Sequence, residues 1–194
     1  MSLRAVVFDF DGTLFLLATD WVALRSQLDE RLGLPGTIGE HTARACAAGD
    51  VEALALITDA ERAGLTGGDW IAGARTVLDT LRRRGIAVAV FSRNSRDVIR
   101  EALAGLTLGF EPPVCGREDV TRQKPDAEGL RLLLERLAVG PGEALMVGDG
   151  AADIEAARAA GVPVAILGRS SGADHHLDAL GDLLTLSLVS AGPD

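Results

Sequence analysis

Residues 5–14 read Ala5-Val6-Val7-Phe8-Asp9-Phe10-Asp11-Gly12-Thr13-Leu14, an unbroken apolar run that stops at two carboxylates and a glycine. Consecutive apolar residues, two of them valine, fit a strand covered on both faces, as in a parallel sheet. Strand alternation puts the Asp9 and Asp11 side chains on the same side, and Gly12 lets the chain turn at once. Two carboxylates ending a buried strand are costly unless a cation or a proton neutralises them. In an open α/β sheet, the C-terminal ends of the strands are where ligands bind.

Comparable runs recur further along the chain. They are Ile86–Phe91, Pro113-Val114-Cys115, Ala144-Leu145-Met146-Val147 and Pro163-Val164-Ala165-Ile166-Leu167, with Leu184 to Leu188 read as a last edge strand. Between them lie helical stretches at 71–84, 95–105, 126–138 and 151–161, several closed by a glycine (Gly85, Gly140, Gly161). Alternating β and α elements imply an α/β fold with a doubly wound parallel sheet, helices on both faces and three layers. Residues 17–70 break the rhythm. They hold three helices, near Asp20–Leu32, Ile38–Ala48 and Val51–Ala63, and no convincing strand. A crossover needs one helix, so the surplus is expected to form a small α-helical cap inserted after the first strand. The expected division is a core of residues 1–16 and 71–194 and a cap of residues 17–70.

A chain of 194 residues accommodates one such core and a modest insertion. Aromatics make up 4% with no tyrosine, and 19 basic against 28 acidic residues give a net charge of −9. This argues against a nucleic-acid partner, since a phosphate backbone is repelled and there is little for bases to stack on. The longest apolar run, Ile86–Phe91, is too short to cross a bilayer, and no basic-then-apolar leader opens the chain. A cytoplasmic protein with no membrane partner is expected. Cys46 and Cys115 lie far apart without metal spacing and read as idle thiols in a reducing compartment.

Three further segments carry chemistry. Ser92 follows the second strand and offers a hydroxyl where a helix begins, a place suited to phosphate and also to a simple N-cap. Lys124, in Gln123-Lys124-Pro125-Asp126, is the sole lysine among 19 basic residues. Arginine replaces lysine on most solvated surfaces, but not where a compact ammonium must fit beside a phosphate. Val147-Gly148-Asp149-Gly150-Ala151-Ala152-Asp153 brings two more carboxylates to a strand end, one helical turn apart. Hard oxygen ligands suit Mg²⁺, and the segment lacks the lysine and glycine spacing of a P-loop. His41 reads as a helix-surface residue. His175-His176 lack a third metal ligand at a convincing spacing, and Arg82-Arg83-Arg84 fit a helix C-terminus.

Taken in order, Asp9-Phe10-Asp11-Gly12-Thr13, the strand-ending Ser92, Lys124-Pro125-Asp126 and Gly148-Asp149-Gly150-Ala151-Ala152-Asp153 resemble the four motifs of the haloacid dehalogenase superfamily. The phosphoglycolate-phosphatase-like branch, with its helical cap after the first strand, is the most similar. The resemblance implies a Rossmann-like core and a phosphatase acting on a small phosphorylated metabolite, phosphoglycolate-like or a sugar phosphate. It makes Asp9 the nucleophile that forms an aspartyl-phosphate and Asp11 the general acid and base. It places Mg²⁺ on the Asp9 carboxylate, the Asp11 backbone carbonyl and Asp149, with Asp153 ligating directly or through water. Ser92, Arg93 and Lys124 are assigned to the phosphate. Specificity is expected from Arg93, Asn94 and cap cations such as Arg25, Arg44 and Arg62. Asp11 distinguishes the chain from dehalogenases, and an insert without lysine excludes the Schiff-base phosphonatases. A phosphosugar mutase and a non-catalytic binding module on the same fold are the alternatives.

Overall fold

The computed structural model describes residues 3–190, so the ends of the expected 1–16 and 71–194 segments lie outside the described residues. The run at 5–8 forms β1 (Ala5–Phe8), buried at every position. A short antiparallel pair follows, β2 (Phe15–Leu16) and β3 (Asp69–Trp70). The remaining strands are β4 (Ala87–Phe91), β5 (Val114–Cys115), β6 (Ala144–Gly148), β7 (Val164–Leu167) and β8 (His175–Leu177). Six of the eight make one parallel sheet in the order β5-β4-β1-β6-β7-β8. The order reverses at β1, which opens a crevice above its C-terminal end.

The unbroken apolar runs follow from this architecture. In β1, Val6 and Phe8 face a core with Leu78 and Leu81 of α4 (Ala74–Arg83) and Ile99 of α5 (Arg96–Gly105). Ala5 and Val7 face the opposite core, with Leu130 and Leu133 of α6 (Glu128–Leu137) and Ala157 of α7 (Ala151–Ala160). Both faces of the sheet are therefore dry, and neither tolerates the polar alternation of a one-sided strand. Register completes the placement. Phe8 pairs with Val90 on one side and Val147 on the other, so residues just past these partners share one edge.

The insert holds α1 (Trp21–Leu32), α2 (Ile38–Ala48) and α3 (Val51–Gly67), packed around Leu24, Leu28, Ala45, Ala53 and Ile57. Each helix begins with a side-chain cap: Asp20 accepts from Ala23 N, Thr37 from Glu40 N and Asp50 from Ala53 N. The β2–β3 pair clamps the two ends of the insert, with Phe10, Phe15 and Trp70 stacked and edge-on around it.

One expected strand is absent. Leu184 to Leu188 belongs to a 3₁₀ turn, Leu180–Thr185, and to a short α8 (Ser187–Ser190). Leu180 and Leu183, both buried, repeat at the spacing of three that a 3₁₀ helix eclipses. The Asp182 carboxylate accepts from Ala179 N at 2.8 Å and closes that turn. The edge position is taken instead by β8. Among the described residues, no helix is long and apolar enough to cross a membrane.

Candidate active site

Asp9 is the first residue past β1, and its backbone N–H still donates to Val147 O at 2.8 Å, so the sheet ladder fixes it. Lys124 reaches it from the loop before α6. Its Nζ donates to Asp9 Oδ1 and Asp153 Oδ1, both at 2.6 Å, and lies 4.8 Å from the centre of the Phe91 ring. Asp153 is the third residue of α7. Its second oxygen accepts the backbone N–H groups of Asp149 (3.2 Å) and Gly150 (3.1 Å), closing the helix N-terminus. Asp9, Asp149 and Asp153 each offer an oxygen, and these oxygens lie within 4.8 Å of one another.

Two glycines are required by this crowding. A Cβ at Gly148 would sit 2.3 Å from Asp153 Cγ. One at Gly12, where φ is +85°, would sit 2.4 Å from Asp149 Oδ2. Asp11, just before that turn, accepts from Leu17 N at 2.9 Å, which holds its carboxylate at the base of the insert.

Four carboxylates, those of Asp9, Asp11, Asp149 and Asp153, thus face one ammonium. Burial pushes the Asp9 carboxyl up to about 6, against the lowering charge of Lys124 and with the repulsion of Asp153 added. Burial also pushes Asp11 up to about 6, partly opposed by the Leu17 N–H. Asp149 is raised by burial and by Asp153. Burial alone would lower Lys124, but the charges of Asp9 and Asp153 outweigh it and hold the ammonium protonated.

A cavity of about 370 Å³ opens above these groups. All seven candidate residues line it: Asp9, Asp11, Ser92, Arg93, Lys124, Asp149 and Asp153. Ser92 is buried and its Oγ donates to Asn94 Oδ1 at 2.8 Å. Arg93 is exposed at the rim, close enough to α2 that a Cβ on Gly39 would meet its Nη1 at 2.4 Å. The insert closes the other side with Trp21, Ile38, Gly39, Thr42 and Glu61.

The insert differs from expectation in its cations and its histidine. Arg25, Arg44 and Arg62 do not line the cavity. Arg62 pairs with Glu101 at 3.2 Å, and Arg44 donates to Pro35 O and His41 Nδ1, each at 3.5 Å. His41 is fully buried rather than on a helix surface, because α2 packs against α1 there and His41 Nε2 donates to Asp29 Oδ1 at 2.6 Å. Glu61 and Arg117 were not singled out from the sequence, yet they form a buried ion pair at 2.7 Å in which Glu61 lines the cavity. A signal existed: Ala53, Ile57, Glu61 and Gly64 follow helical spacing and share the buried face of α3.

Comparison with known proteins agrees with this geometry. A model of the family described as haloacid dehalogenase-like hydrolase matches residues 3–161. A phosphoglycolate phosphatase from Rhodospirillum rubrum is 39% identical over 106 residues, a segment covering 53% of this chain and 43% of that protein's length. An N-acetylmuramic acid 6-phosphate phosphatase from Pseudomonas aeruginosa is 32% identical over 191 residues, covering 85% of this chain and 81% of that one. A crystal structure of a HAD-superfamily hydrolase, subfamily IA, variant 1, from Geobacter sulfurreducens superposes with a TM-score of 0.72 at 28% identity, covering 95% of this chain and all of that one. The sheet order, the carboxylates gathered at its C-terminal edge and the match over residues 3–161 identify the chain as a member of the haloacid dehalogenase-like hydrolases.

Proposed function

We propose that the protein is a Mg²⁺-dependent phosphatase that hydrolyses a small phosphorylated metabolite through an aspartyl-phosphate on Asp9. The observation that carries this reading is the Asp9–Lys124–Asp153 arrangement at the floor of the cavity, with Lys124 2.6 Å from each carboxylate. An isolated carboxylate at a strand end needs no buried ammonium, whereas a nucleophile receiving a phosphoryl group needs a cation beside it.

The donor set fits Mg²⁺. Four carboxylates against one ammonium leave an excess of negative charge, and three of them offer oxygens within 4.8 Å of one another. Asp9, the Asp11 backbone carbonyl and Asp149 would hold the ion. Asp153 would hold it directly or through water, its Oδ2 being taken by the backbone N–H groups of Asp149 and Gly150. When bound there, Mg²⁺ would neutralise phosphoryl oxygens and help to orient the ester.

The protein's own groups supply the rest. The Asp9 carboxylate attacks phosphorus, forming an acyl phosphate as the ester oxygen departs. The Asp11 carboxyl, pushed up to about 6 by burial, protonates that leaving oxygen. It then accepts a proton from the water that hydrolyses the acyl phosphate, which restores Asp9. Ser92 Oγ and Lys124 Nζ bind the phosphoryl oxygens, and Arg93 approaches from the rim.

The relatives named above are phosphatases of different metabolites, so what they share is the phosphate monoester. The insert side of the cavity offers Trp21, Ile38, Gly39 and Thr42, with Glu61 the one charged residue it contributes among the described residues. No insert cation waits for a second phosphate, which favours a monophosphate over the bisphosphate of a mutase. The test is hydrolysis of p-nitrophenyl phosphate by the wild type and Asp9→Asn, with Mg²⁺ and with excess chelator. Turnover that needs both Asp9 and Mg²⁺ is expected. Full activity in chelator, or persisting in Asp9→Asn, would overturn the reading.

A further inference from the structure

Glu61 on the cavity wall and Arg117 behind it have no part in the reaction above, yet both are about 2% exposed and heavily bonded. Glu61 belongs to α3 of the insert. Arg117 belongs to the 3₁₀ turn Arg117–Asp119 that follows β5. Glu61 Oε1 accepts from Arg117 Nη1 at 2.7 Å and from Asn94 Nδ2 at 3.0 Å, while Oε2 accepts from Ser95 N at 3.0 Å. Arg117 in turn donates to Arg93 O at 3.3 Å and to Thr58 Oγ1 of α3. The insert therefore holds residues 93–95, the loop immediately after Ser92, directly through the Glu61 carboxylate and indirectly through Arg117, which bridges α3 to Arg93 O.

The direction of these bonds sets the orientation of Asn94. A carboxylate only accepts, so the Asn94 amide must turn its NH₂ to Glu61 and its Oδ1 to Ser92. Ser92 Oγ then donates to Oδ1 at 2.8 Å and accepts from Asn94 N at 3.4 Å. A hydroxyl held this way has its oxygen in place before any phosphate arrives. Binding needs only a turn of the O–H from Asn94 to a phosphate oxygen, with no movement of heavy atoms. The attraction between the two charges is not by itself what the arrangement supplies, because a buried ion pair is often replaced by apolar groups of similar size without loss. What apolar groups cannot provide is an acceptor for Asn94 and Ser95.

We infer that Glu61 is a positioning residue: through Asn94 it sets the Ser92 hydroxyl, so that the phosphate-binding loop is ordered only while the insert is seated on the sheet edge. The inference rests on the phosphatase reading for its kinetic consequence, but not for its geometry. The site it assigns couples two parts of the chain, and its ligand is the phosphoryl group itself.

The test is the double variant Glu61→Leu/Arg117→Met, which removes the acceptor without leaving a buried charge unpaired. Thermal unfolding should stay cooperative, with a midpoint lowered by the loss of the acceptor for the Asn94 amide and the Ser95 N–H. The value of kcat/KM for p-nitrophenyl phosphate should fall about 10- to 100-fold, as for loss of one or two hydrogen bonds to a charged group. Inorganic phosphate, titrated by calorimetry with Mg²⁺ present, should bind correspondingly more weakly. Asn94→Ala, which leaves the ion pair intact, should show the same loss, and adding it to the double variant should change kcat/KM less than twofold. Wild-type kinetics in either variant, or losses that multiply, would overturn the inference. If the wild type itself hydrolyses no ester, the phosphatase reading fails, and the positioning is decided by the NMR signals of the Asn94 side-chain amide. A fixed, shifted pair in the wild type that collapses in the double variant supports it, and identical signals in both refute it.

Discussion

Lys124→Met tests the electrostatic design of the site most directly, because it removes the one ammonium and keeps the unbranched stem as far as Cε. Lys124 is buried and serves two buried carboxylates at 2.6 Å. Removing one partner of a buried pair costs about 3–5 kcal/mol. Here the lower end applies in metal-free protein, since Asp9, already pushed up to about 6, takes a proton once the opposing charge is gone. In a domain of 194 residues each kcal/mol moves the melting temperature by about 2–4 °C, so a drop of about 6–12 °C is expected in chelator at pH 7. A carboxyl whose folded pKa is raised adds stability that is full below its ordinary value of 3.8 and is lost as pH rises through about 6. The variant should therefore recover part of its melting temperature on going from pH 7 to pH 5. Mg²⁺ should restore stability more in the variant than in the wild type, because the ion supplies the missing charge. It should not restore turnover, which falls by about 10²–10³ with the loss of a donor to the transferring group. Melting followed by circular dichroism, with and without Mg²⁺, reads the first effect, and p-nitrophenyl phosphate hydrolysis the second. A melting temperature within about 2 °C of the wild type in chelator would mean that Lys124 is not the counter-charge of Asp9 and Asp153.

Gly148→Ala places a Cβ 2.3 Å from Asp153 Cγ and should push that carboxylate off Lys124. Turnover should fall about 100-fold in a folded protein, and near-normal kinetics would show that the close packing is dispensable. The Asp11 carboxyl, raised to about 6, gives metal-free protein a share of stability that fades as pH rises from 3.8 through 6, so Asp11→Asn should flatten the melting profile between pH 5 and pH 7 in chelator. Ca²⁺ should inhibit turnover supported by Mg²⁺, since it accepts a bidentate carboxylate and can occupy the Asp9 oxygen proposed to attack; activation by Ca²⁺ would contradict this. Burial pushes the Cys115 thiol up to about 12, so it should react with a disulfide reagent at pH 8 only after unfolding, and fast labelling of native Cys115 would refute its placement.

The central sheet was legible because each interior strand is covered twice. Val6 and Phe8 enter one core while Ala5 and Val7 enter the other, and the result in sequence is a run with no polar interruption. The edges lack that signature. His175-His176-Leu177 is a strand because Ala165, Ile166 and Leu167 pair with it, a relation set by register and invisible in three residues of mixed polarity. The β2–β3 pair, two residues on each side, escaped for the same reason. Leu184 to Leu188 erred in the opposite direction. Leucine density suggested a strand, but the spacing of Leu180 and Leu183 was the better guide, and it belongs to a 3₁₀ turn packed on α4.

The site divides along a similar line. Asp9, Ser92 and Asp149 sit where strands end, so their convergence follows once the strand order is known. Glu61 and Arg117 lie 56 positions apart and acquire meaning only when α3 settles on the loop after β5. The two buried cations, Lys124 in the cavity and Arg117 behind Glu61, show why one was visible and the other was not. Between Asp9 and Asp153 the need is for a compact point charge, and a chain otherwise confined to arginine keeps its sole lysine there. Beside Glu61 the need is for a planar fork that reaches a carboxylate, the Arg93 carbonyl and the Thr58 hydroxyl at once, which only a guanidinium provides. That second requirement is as specific as the first. Among so many arginines it leaves no compositional trace, and only the glutamate in the apolar face of α3 marks where its partner must be.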